Sequence, residues 1–349
     1  MIGEIKNKIE KSLFQYIKDL DKRYSLTAIS PVLAGAMKDF LSRPGKRIRP
    51  MFFVLGFKAF SKKQAKGLYT SCLSIELLHD FMLVHDDIID KSRLRRGRPS
   101  MHELFNIFLK GKGNIKFSGE DLSIVAGDMI YAMALDAFLE VDVRPEFKEE
   151  ALKKLIRAVF LTGCGEFIEL LSGIKDIGGI SEKEIYKIYD YKTAYYTFAA
   201  PLSIGATLAG APSAEREKLL RYGLFLGRAF QIQDDILGIF GNEAKIGKST
   251  LTDLQEAKKT ILIRQAYKSS SANKRAAIKK VLSKSKVNMS DLSKIKEIVV
   301  SSGSLDYAEK EISNLINKSD KIIDSLHIKK TFKHLLKTFS HKTLGDVPH

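Results

Sequence analysis

The sequence of 349 residues predicts an all-α fold. Strand-like alternation of β-branched residues is not sustained anywhere, whereas apolar residues recur at spacings of three and four, as from Leu68 through Ile75 to Met82. Proline is absent between Pro212 and Pro348, and such a stretch with few glycines is typical of successive helices. Because 44% of the residues are apolar, the chain can bury a large core.

Glycine, proline and polar residues indicate where the predicted helices are connected. We expect loops at residues 42–49, 110–120, 174–179 and 241–252. Residues 193–214 carry no charge and come nearest to a membrane span, but their prolines, glycines and hydroxyl groups favour a buried core helix. Residues 1–22 carry a charge every few positions, which does not resemble a secretory signal. We therefore expect no transmembrane segment.

The charge is strongly positive, with 58 Lys and Arg against 41 Asp and Glu and a net charge of +17. This excess is compatible with nucleic acid, an anionic membrane surface or small anionic substrates. Residues 264–349 contain 18 basic and 8 acidic residues, which we interpret as a solvated face of surface helices. The two cysteines, Cys72 and Cys164, lack a CxxC spacing, so neither a disulfide framework nor a zinc knuckle is supported, and a reducing cytoplasm is expected.

An acidic cluster ends the first amphipathic stripe, which begins at Leu68. Asp86 and Asp90 are four residues apart and lie one above the other on a helix, with Asp87 beside them. Carboxylates on a core-facing stripe need cationic partners, and hard oxygen ligands suit Mg²⁺ together with substrate phosphate oxygens. The alternative is a helix end whose aspartates meet surface lysines.

A second acidic cluster, Asp234 and Asp235, ends a stripe that contains Leu219, Leu226 and Phe230. If two helices directed these clusters at one cavity, the carboxylates would repel each other without metal ions. The pair of clusters therefore favours a site with several metal ions.

Basic residues accompany both clusters. Arg95 and Arg96 follow the first one, and Lys46 and Arg49 lie in a loop bounded by proline and glycine. Guanidinium groups pair with phosphate oxygens in a bidentate way, and lysines act as point charges. The basic residues near the uncharged segment and beyond the second cluster are Lys192, Lys248 and Lys258. Together these residues predict sites for diphosphate groups.

The motifs resemble those of the trans-isoprenyl diphosphate (polyprenyl) synthases, most closely the geranylgeranyl diphosphate synthases, in order and spacing over essentially the whole chain. They read RPGKRIRP from Arg43, LVHDDIIDKSRLRRGRPSMH from Leu83, AGDMIYAMA around Asp128, YKTAYYTFAAPLSIGA from Tyr191, FQIQDDILGIFG from Phe230 and GKSTLTDLQEAKKTIL from Gly247. The resemblance implies one domain over residues 1–349, a bundle of many helices around a deep central cavity, with residues 264–349 as basic helices of the same domain. It also implies a homodimer.

The implied reaction is a Mg²⁺-dependent, head-to-tail condensation of isopentenyl diphosphate with an allylic diphosphate of C5 to C15. By resemblance, the metal ligands are Asp86, Asp87, Asp90, Asp234 and Asp235. The isopentenyl diphosphate site is formed by Lys46, Arg49, His79 and Arg96. The allylic diphosphate is held by Arg95, Lys192, Thr193, Gln231, Lys248 and Lys258, and Lys192 and Thr193 also stabilise the allylic cation.

Two positions bear on the details of this reaction. Gly238 stands where many members of the family have a third aspartate, so we expect weakened metal support rather than loss of activity. Phe81 and Met82 lie five and four residues before Asp86 and are expected to form the floor that limits product length. A single aromatic residue at the earlier position resembles the geranylgeranyl (C20) pattern; a farnesyl or longer product is the alternative.

Other functions remain open at this point. A terpene cyclase or head-to-head condensing enzyme shares the aspartates but generally lacks GKRIRP and LRRG, and a non-catalytic synthase subunit typically loses one acidic cluster, whereas this chain has both. The sequence has no tryptophan and no basic patch interleaved with aromatic residues, so nucleic-acid binding is not expected. Peripheral membrane contact through the basic C-terminal residues remains a hypothesis.

Overall fold

The structure is a computed structural model that describes residues 1–241 and 250–344. Nearly all regular structure in these residues is helical, so the all-α prediction is confirmed. The chain divides into two compact units: the first contains Met1–Leu152 and Ile204–Gly210, and the second contains Lys153–Ser203 and Ala211–His349. The expected single domain stays a prediction.

The first unit begins with short and medium helices and continues with two long ones. Its helices are α1 Ile2–Lys18, α2 Leu20–Tyr24, α3 Leu26–Ile29, α4 Pro31–Leu41, α5 Ile48–Phe60, α6 Leu68–Ser71, α7 Leu73–Ile89, α8 Met101–Leu109 and α9 Gly119–Leu139. Helices α10 (Pro145–Gly173) and α12 (Ala200–Leu208) contribute residues to both units.

The second unit contains helices of several kinds. They are a 3₁₀ turn Ile177–Gly179, α11 Glu182–Tyr189, a π-helix Asp190–Ala199, α13 Ser213–Phe240, α14 Thr252–Gln255, α15 Ile261–Ser269, α16 Ala272–Leu282, α17 Met289–Ser301, α18 Ser304–Ser325 and α19 Lys330–Leu344. Helix α13 packs against the π-helix and against α18. Most of the basic residues from Arg264 onward lie in helices α15 to α19 of this unit.

The predicted connections agree with the described residues. Helix α5 begins at Ile48, α8 ends at Leu109 and α9 begins at Gly119. The stripe from Leu68 to Asp90 is divided at Cys72, which keeps right-handed helical angles (φ −67°, ψ −17°), so the two helices meet at a local irregularity. Part of the expected loop at 241–252, residues 242–249, lies outside the described residues.

A small hairpin is the one feature of the first unit that contradicts a purely helical reading. Strands β1 (Leu94–Arg95) and β2 (Arg98–Pro99) pair antiparallel, and the two turn residues, Arg96 and Gly97, have φ of 53° and 75°. Two central residues with positive φ are typical of a type I′ turn, which matches the twist of the flanking strands. The sequence lacks the Asn-Gly pair that usually marks such a turn.

A buried arginine fixes this hairpin in place. Arg43 is 1% exposed, and its guanidinium donates to the carbonyl oxygens of Arg95 (3.2 Å) and Pro99 (2.8 Å). The same group donates to Asp39 (3.1 Å from Nε), so its charge is paired. Hydrogen bonds to carbonyl groups on both strands orient the turn that carries Arg96.

Of the described residues, only α9 is long and apolar enough to cross a membrane by length and composition. It packs against α7 and α8, as a core helix of a soluble protein also would, so it is weak evidence for a span. Residues 193–214 are mostly buried, as expected, but α12 ends at Leu208 because Gly210 (φ 73°) and Pro212 follow.

Two helical glycines in the first unit differ in how much space surrounds them. A Cβ on Gly205 of α12 would overlap the carbonyl oxygen of Phe53 in α5, whereas a Cβ on Gly35 of α4 would meet nothing within 4 Å. We expect Gly205→Ala to lower the free energy of unfolding by about 1–3 kcal/mol through overpacking. Gly35→Ala should raise it by about 0.4–1 kcal/mol, because it restricts the unfolded chain.

Thermal and urea unfolding of both variants measures these changes. An unfolding free energy of Gly205→Ala at or above that of the parent protein would contradict the close approach of α12 to α5.

Candidate active site

The first acidic cluster lies at the C-terminal end of α7. Asp86 is half-buried and Asp90 is exposed, and the Asp90 backbone N–H donates to the Asp86 carbonyl oxygen at 2.8 Å. The two side chains therefore share one face of the helix, as the four-residue spacing predicts. Asp87 points elsewhere and is fully buried.

Arg95 from the hairpin holds Asp87. Its Nε donates to Asp87 Oδ1 at 2.8 Å, and its Nη2 donates to the same oxygen. Burial raises the pKa of the Asp87 carboxyl above its ordinary value, although the guanidinium opposes that shift. Burial likewise opposes the charge of Arg95, but Asp87, with smaller contributions from Asp86 and Asp90, holds the Arg95 pKa above its ordinary value.

Four arginines act on His79. Burial lowers the pKa of His79 well below its ordinary value, and the charges of Arg49, Arg96, Arg95 and Arg47 lower it further. The structure thus brings together His79, Arg49 and Arg96, three of the four residues expected to bind isopentenyl diphosphate. A neutral imidazole beside guanidinium groups can donate or accept a hydrogen bond without adding charge.

The fourth residue, Lys46, is exposed in the loop before α5. Gly45 in this loop lies beside the Arg96 guanidinium, because a Cβ on Gly45 would be 3.7 Å from Arg96 Nη2. Arg47 of the same loop is buried and makes ion pairs with Glu10 (3.0 Å) and Glu76 (2.8 Å). Arg47 therefore anchors the loop, whereas the neighbouring Lys46 is accessible to a ligand.

Asp80 adds a buried carboxylate to this group. Its Oδ1 accepts from Arg96 Nη2 at 3.5 Å. Burial and, to a smaller extent, the neighbouring Glu76 carboxylate raise the pKa of Asp80 to about 7, although the charges of Arg96 and Arg47 oppose this shift. Asp80 was not predicted from the sequence, although it is adjacent to His79 and one turn beyond Glu76.

The two residues expected to limit product length are half-buried. The Phe81 ring contacts His85 edge-on, with ring centroids 4.7 Å apart, and tilts against Tyr131 of α9 at 5.4 Å. His85 also lies near Asp128, with 3.6 Å between Nε2 and Oδ1. Phe81 is thus packed between side chains of α7 and α9.

The second acidic cluster lies in the second unit, in the C-terminal part of α13. Asp234 is half-buried, whereas Asp235 is 4% exposed. Tyr189 donates its hydroxyl hydrogen to Asp235 Oδ2, and Gln231 Nε2 donates to Oδ1 at 3.1 Å. Burial raises the pKa of Asp235 well above its ordinary value, and these hydrogen bonds partly offset the shift.

The π-helix carries two of the predicted residues to the same region. Thr193 Oγ1 donates to Gln231 Oε1 at 2.7 Å, so Thr193, Gln231 and Asp235 form one hydrogen-bonded chain. Lys192 makes ion pairs with Glu166 (2.6 Å) and Glu169 of α10. A π-helix is rare and is frequently found at functional sites.

Lys258 follows α14 and is half-buried. Its ammonium group lies 2.8 Å from Glu256 Oε2 and 3.4 Å from Asp253 Oδ1. Burial opposes the charge, but Asp253, Glu169 and Glu256 outweigh it and hold the pKa of Lys258 well above its ordinary value. Lys248, predicted for the same diphosphate, lies outside the described residues.

The donor groups fit a hard divalent cation. Asp86, Asp90 and Asp234 present carboxylate oxygens from side chains that are not fully buried. Within residues 1–241 and 250–344, no group of three or more His, Cys, Asp or Glu side chains is placed so that it could hold a metal ion by itself. Mg²⁺ is bound typically by one or two carboxylates, several waters and substrate phosphate oxygens, and does not require such a group.

Several residues that shape the site were missed at the level of sequence. Tyr189 contacts Asp235, and Glu166 and Glu169 contact Lys192, in each case across a long stretch of sequence. Asp253 contacts Lys258, which follows it by five residues. The spacing of Glu166 and Glu169 on one helix face was the available signal for a cation partner. No sequence signal identified the π-helix.

Comparison with known proteins identifies the family of this chain. The polyprenyl synthetase family model matches residues 30–299. The geranylgeranyl diphosphate synthase of Sulfolobus acidocaldarius is 30% identical over 312 residues, which cover 88% of this chain and 89% of that protein. The geranylfarnesyl diphosphate synthase of Aeropyrum pernix is 31% identical over 295 residues, covering 83% of this chain and 86% of that protein.

A solved structure extends the likeness to the fold. The geranylgeranyl pyrophosphate synthase of Corynebacterium glutamicum, complexed with isoprenyl diphosphate and magnesium, has a TM-score of 0.89 and 26% identity, and covers 99% of both chains. The family model, the relatives and the fold agree with the motifs around both acidic clusters. The chain belongs to the polyprenyl synthetase family and is a prenyltransferase.

Proposed function

We propose that this prenyltransferase condenses isopentenyl diphosphate head-to-tail with an allylic diphosphate of C5 to C15, in the cytoplasm, and that its product is trans-geranylgeranyl diphosphate (C20). The observation that carries the proposal is that guanidinium groups gather around the first acidic helix, while Lys192 and Lys258 lie in the unit that carries the second one. Two sets of cations correspond to two diphosphate substrates.

The first set binds isopentenyl diphosphate. Lys46, Arg49 and Arg96 supply positive charge and His79 a neutral hydrogen-bonding group. Arg43 and Arg47 are buried in ion pairs and hydrogen bonds with the protein, so they hold the loop and the hairpin in place. Because the loop and the hairpin are held in place, the guanidinium groups of Arg49 and Arg96 lose little side-chain entropy when a phosphate binds.

The second set holds the allylic diphosphate. It consists of Lys192, Thr193, Gln231, Lys248 and Lys258; the resemblance also assigns Arg95, which in the first unit is paired with Asp87. Lys192 and Thr193 also stabilise the allylic cation and orient the departing diphosphate. Their carboxylate and amide partners hold these side chains in place before the substrate binds, so little reorganisation is needed during the reaction.

Asp86, Asp90 and Asp234 would hold Mg²⁺ and diphosphate oxygens, and we assign supporting roles to Asp87 and Asp235. The protein already occupies Asp87 with Arg95 and Asp235 with Tyr189 and Gln231. When bound, Mg²⁺ supplies positive charge that stabilises the leaving diphosphate.

The reaction adds one five-carbon unit, from isopentenyl diphosphate, to an allylic chain of C5 to C15. The C–O bond of the allylic diphosphate breaks, the double bond of isopentenyl diphosphate attacks the allylic carbon, and a proton leaves the new product. Apolar surroundings must exclude water, which would otherwise quench the allylic cation. The ring of Phe81 is the group that limits how far the growing apolar tail extends.

A homodimer is part of the proposal, with its contact on α10. Phe160, Cys164, Phe167 and Leu171 share one face of this helix at spacings of four, three and four, and the exposed Ile174 follows directly after its end. Phe160 is 67% and Phe167 65% exposed. This spacing is the heptad pattern by which two helices pack along a seam, and a second copy of the chain provides the matching stripe through two-fold symmetry. Glu166 and Glu169, which bind Lys192, lie on the opposite side of α10.

Removal of a metal-binding carboxylate gives the first test. Asp86→Ala and Asp234→Ala should each reduce the rate of condensation about a hundredfold or more, because charge on the leaving diphosphate is no longer offset. Incorporation of labelled isopentenyl diphosphate with Mg²⁺ and each of the C5, C10 and C15 allylic diphosphates measures the rate. The exposed Asp306→Ala is the matched control. Rates near that of the parent in either variant would exclude the assignment.

Product length tests the role of Phe81. Phe81→Ala removes a ring packed against His85 and Tyr131, and should therefore lengthen the product beyond C20. Chain-length analysis of the dephosphorylated products reports the outcome. Phe14→Ala makes the same truncation at a residue that is 71% exposed on α1 and should leave product length unchanged. An unaltered product from Phe81→Ala would place the limiting residue elsewhere.

Oligomeric state tests the stripe on α10. Phe167→Asp places a charge in the middle of the apolar seam and should shift the protein from dimer to monomer, because an unpaired charge at a contact must be desolvated. Light scattering coupled to size-exclusion chromatography measures the mass. Phe14→Asp is the matched control. A Phe167→Asp protein that stays dimeric at micromolar concentration would contradict the proposed contact.

A further inference from the structure

Gly238 lies one turn beyond Asp234 on α13, at a point where a side chain would require the Asp253 carboxylate to move. A Cβ built on Gly238 would lie 3.1 Å from Asp253 Cγ and would overlap Asp253 Oδ2. Both residues are buried, and Asp253 is 8% exposed. The Asp253 carboxylate therefore fills the space that any side chain at position 238 would need.

Asp253 is connected to Lys258 by the end of α14. The Lys258 backbone N–H donates to the Asp253 carbonyl oxygen (2.9 Å), and the Ala257 N–H donates to the Leu254 carbonyl oxygen (3.1 Å). Ala257 has a φ of 51°. These two hydrogen bonds around a left-handed residue form a Schellman motif, which fixes the direction of the chain after the helix.

The side chains of Asp253 and Lys258 also contact each other. Asp253 Oδ1 lies 3.4 Å from Lys258 Nζ, while Oδ2 faces Gly238. The charge of Asp253 contributes to the high pKa of Lys258 and raises the pKa of Asp235. One carboxylate thus contacts the backbone of the second acidic helix on one side and a candidate diphosphate-binding ammonium group on the other.

We propose that Gly238 leaves the space in which the Asp253 carboxylate sits, and that Asp253 in this place is a positioning residue for Lys258 beside Glu256. The proposal rests on the assignment of Lys258 to the allylic diphosphate. A side chain at position 238 displaces Asp253, and Lys258 then keeps its ion pair with Glu256 but loses the second carboxylate that fixes the direction of its ammonium group.

A double-mutant cycle tests this coupling. Gly238→Ala should raise both the KM for the C15 allylic diphosphate and the Kd for inorganic diphosphate with Mg²⁺ about tenfold or more, with a smaller effect on the KM for isopentenyl diphosphate. Asp253→Ala should produce similar changes. The double variant Gly238→Ala/Asp253→Ala should match Asp253→Ala within about twofold, because the overlapping carboxylate is already gone.

Two further variants sharpen the test. Gly238→Asp adds the carboxylate found in many members of the family, yet it should behave like Gly238→Ala because it needs the same Cβ. Asp253→Asn keeps the shape and a hydrogen-bond acceptor for Lys258, and should retain tighter diphosphate binding than Asp253→Ala. Gly35→Ala is the matched control for a helical Gly-to-Ala change in open space.

Each outcome either supports or overturns the coupling between Gly238, Asp253 and Lys258. Parent-like diphosphate binding by Gly238→Ala, or effects that multiply in the double variant, would overturn the proposal. If Gly238→Ala does not fold, recovery of folding in the double variant supports the overlap, and its failure to recover refutes it. Absence of turnover in the parent protein would refute the proposed function, while calorimetry with inorganic diphosphate and Mg²⁺ still decides the coupling.

Discussion

A charged group buried among helices must have a partner, and this constraint shapes both acidic clusters. Removal of one partner from a buried ion pair leaves an uncompensated charge and costs about 3–5 kcal/mol. In the first unit the hairpin supplies Arg95 to Asp87, and in the second Tyr189 and Gln231 bind Asp235. Each acidic cluster is therefore tied to a segment that its own helix does not contain.

Adjacent aspartates on a helix point about 100° apart, and both clusters use this geometry in the same way. The second member of each pair, Asp87 or Asp235, is buried and bound by the protein. The first member, Asp86 or Asp234, is half-buried and stands at the same helical position relative to its neighbour. Each pair of aspartates thus combines one carboxylate that is bound by the protein with one that is accessible to ligands.

The sequence was informative wherever a local pattern determines the structure. Apolar spacing identified the helices, and the order of the motifs identified the family and the residues around His79, Arg49 and Arg96. The hairpin was missed because Arg96 adopts a positive φ without the usual Asn-Gly signal. The pairing of Lys192 with Glu166 and Glu169 and the fit of Asp253 against Gly238 join residues 15 or more positions apart, so only tertiary packing creates them.

The hairpin itself follows from the electrostatics of α7. The C-terminal end of a helix carries a partial negative charge, and here Asp86, Asp87 and Asp90 add to it while the last turn contains no basic residue. Cations must therefore return to this end from the chain that follows. A two-residue turn reverses the chain in the shortest possible length and brings Arg95 back to Asp87 and Arg96 back to Asp80. The unfavourable backbone conformation of Arg96, worth about 1–3 kcal/mol, is thus offset by the ion pairs that the turn makes possible.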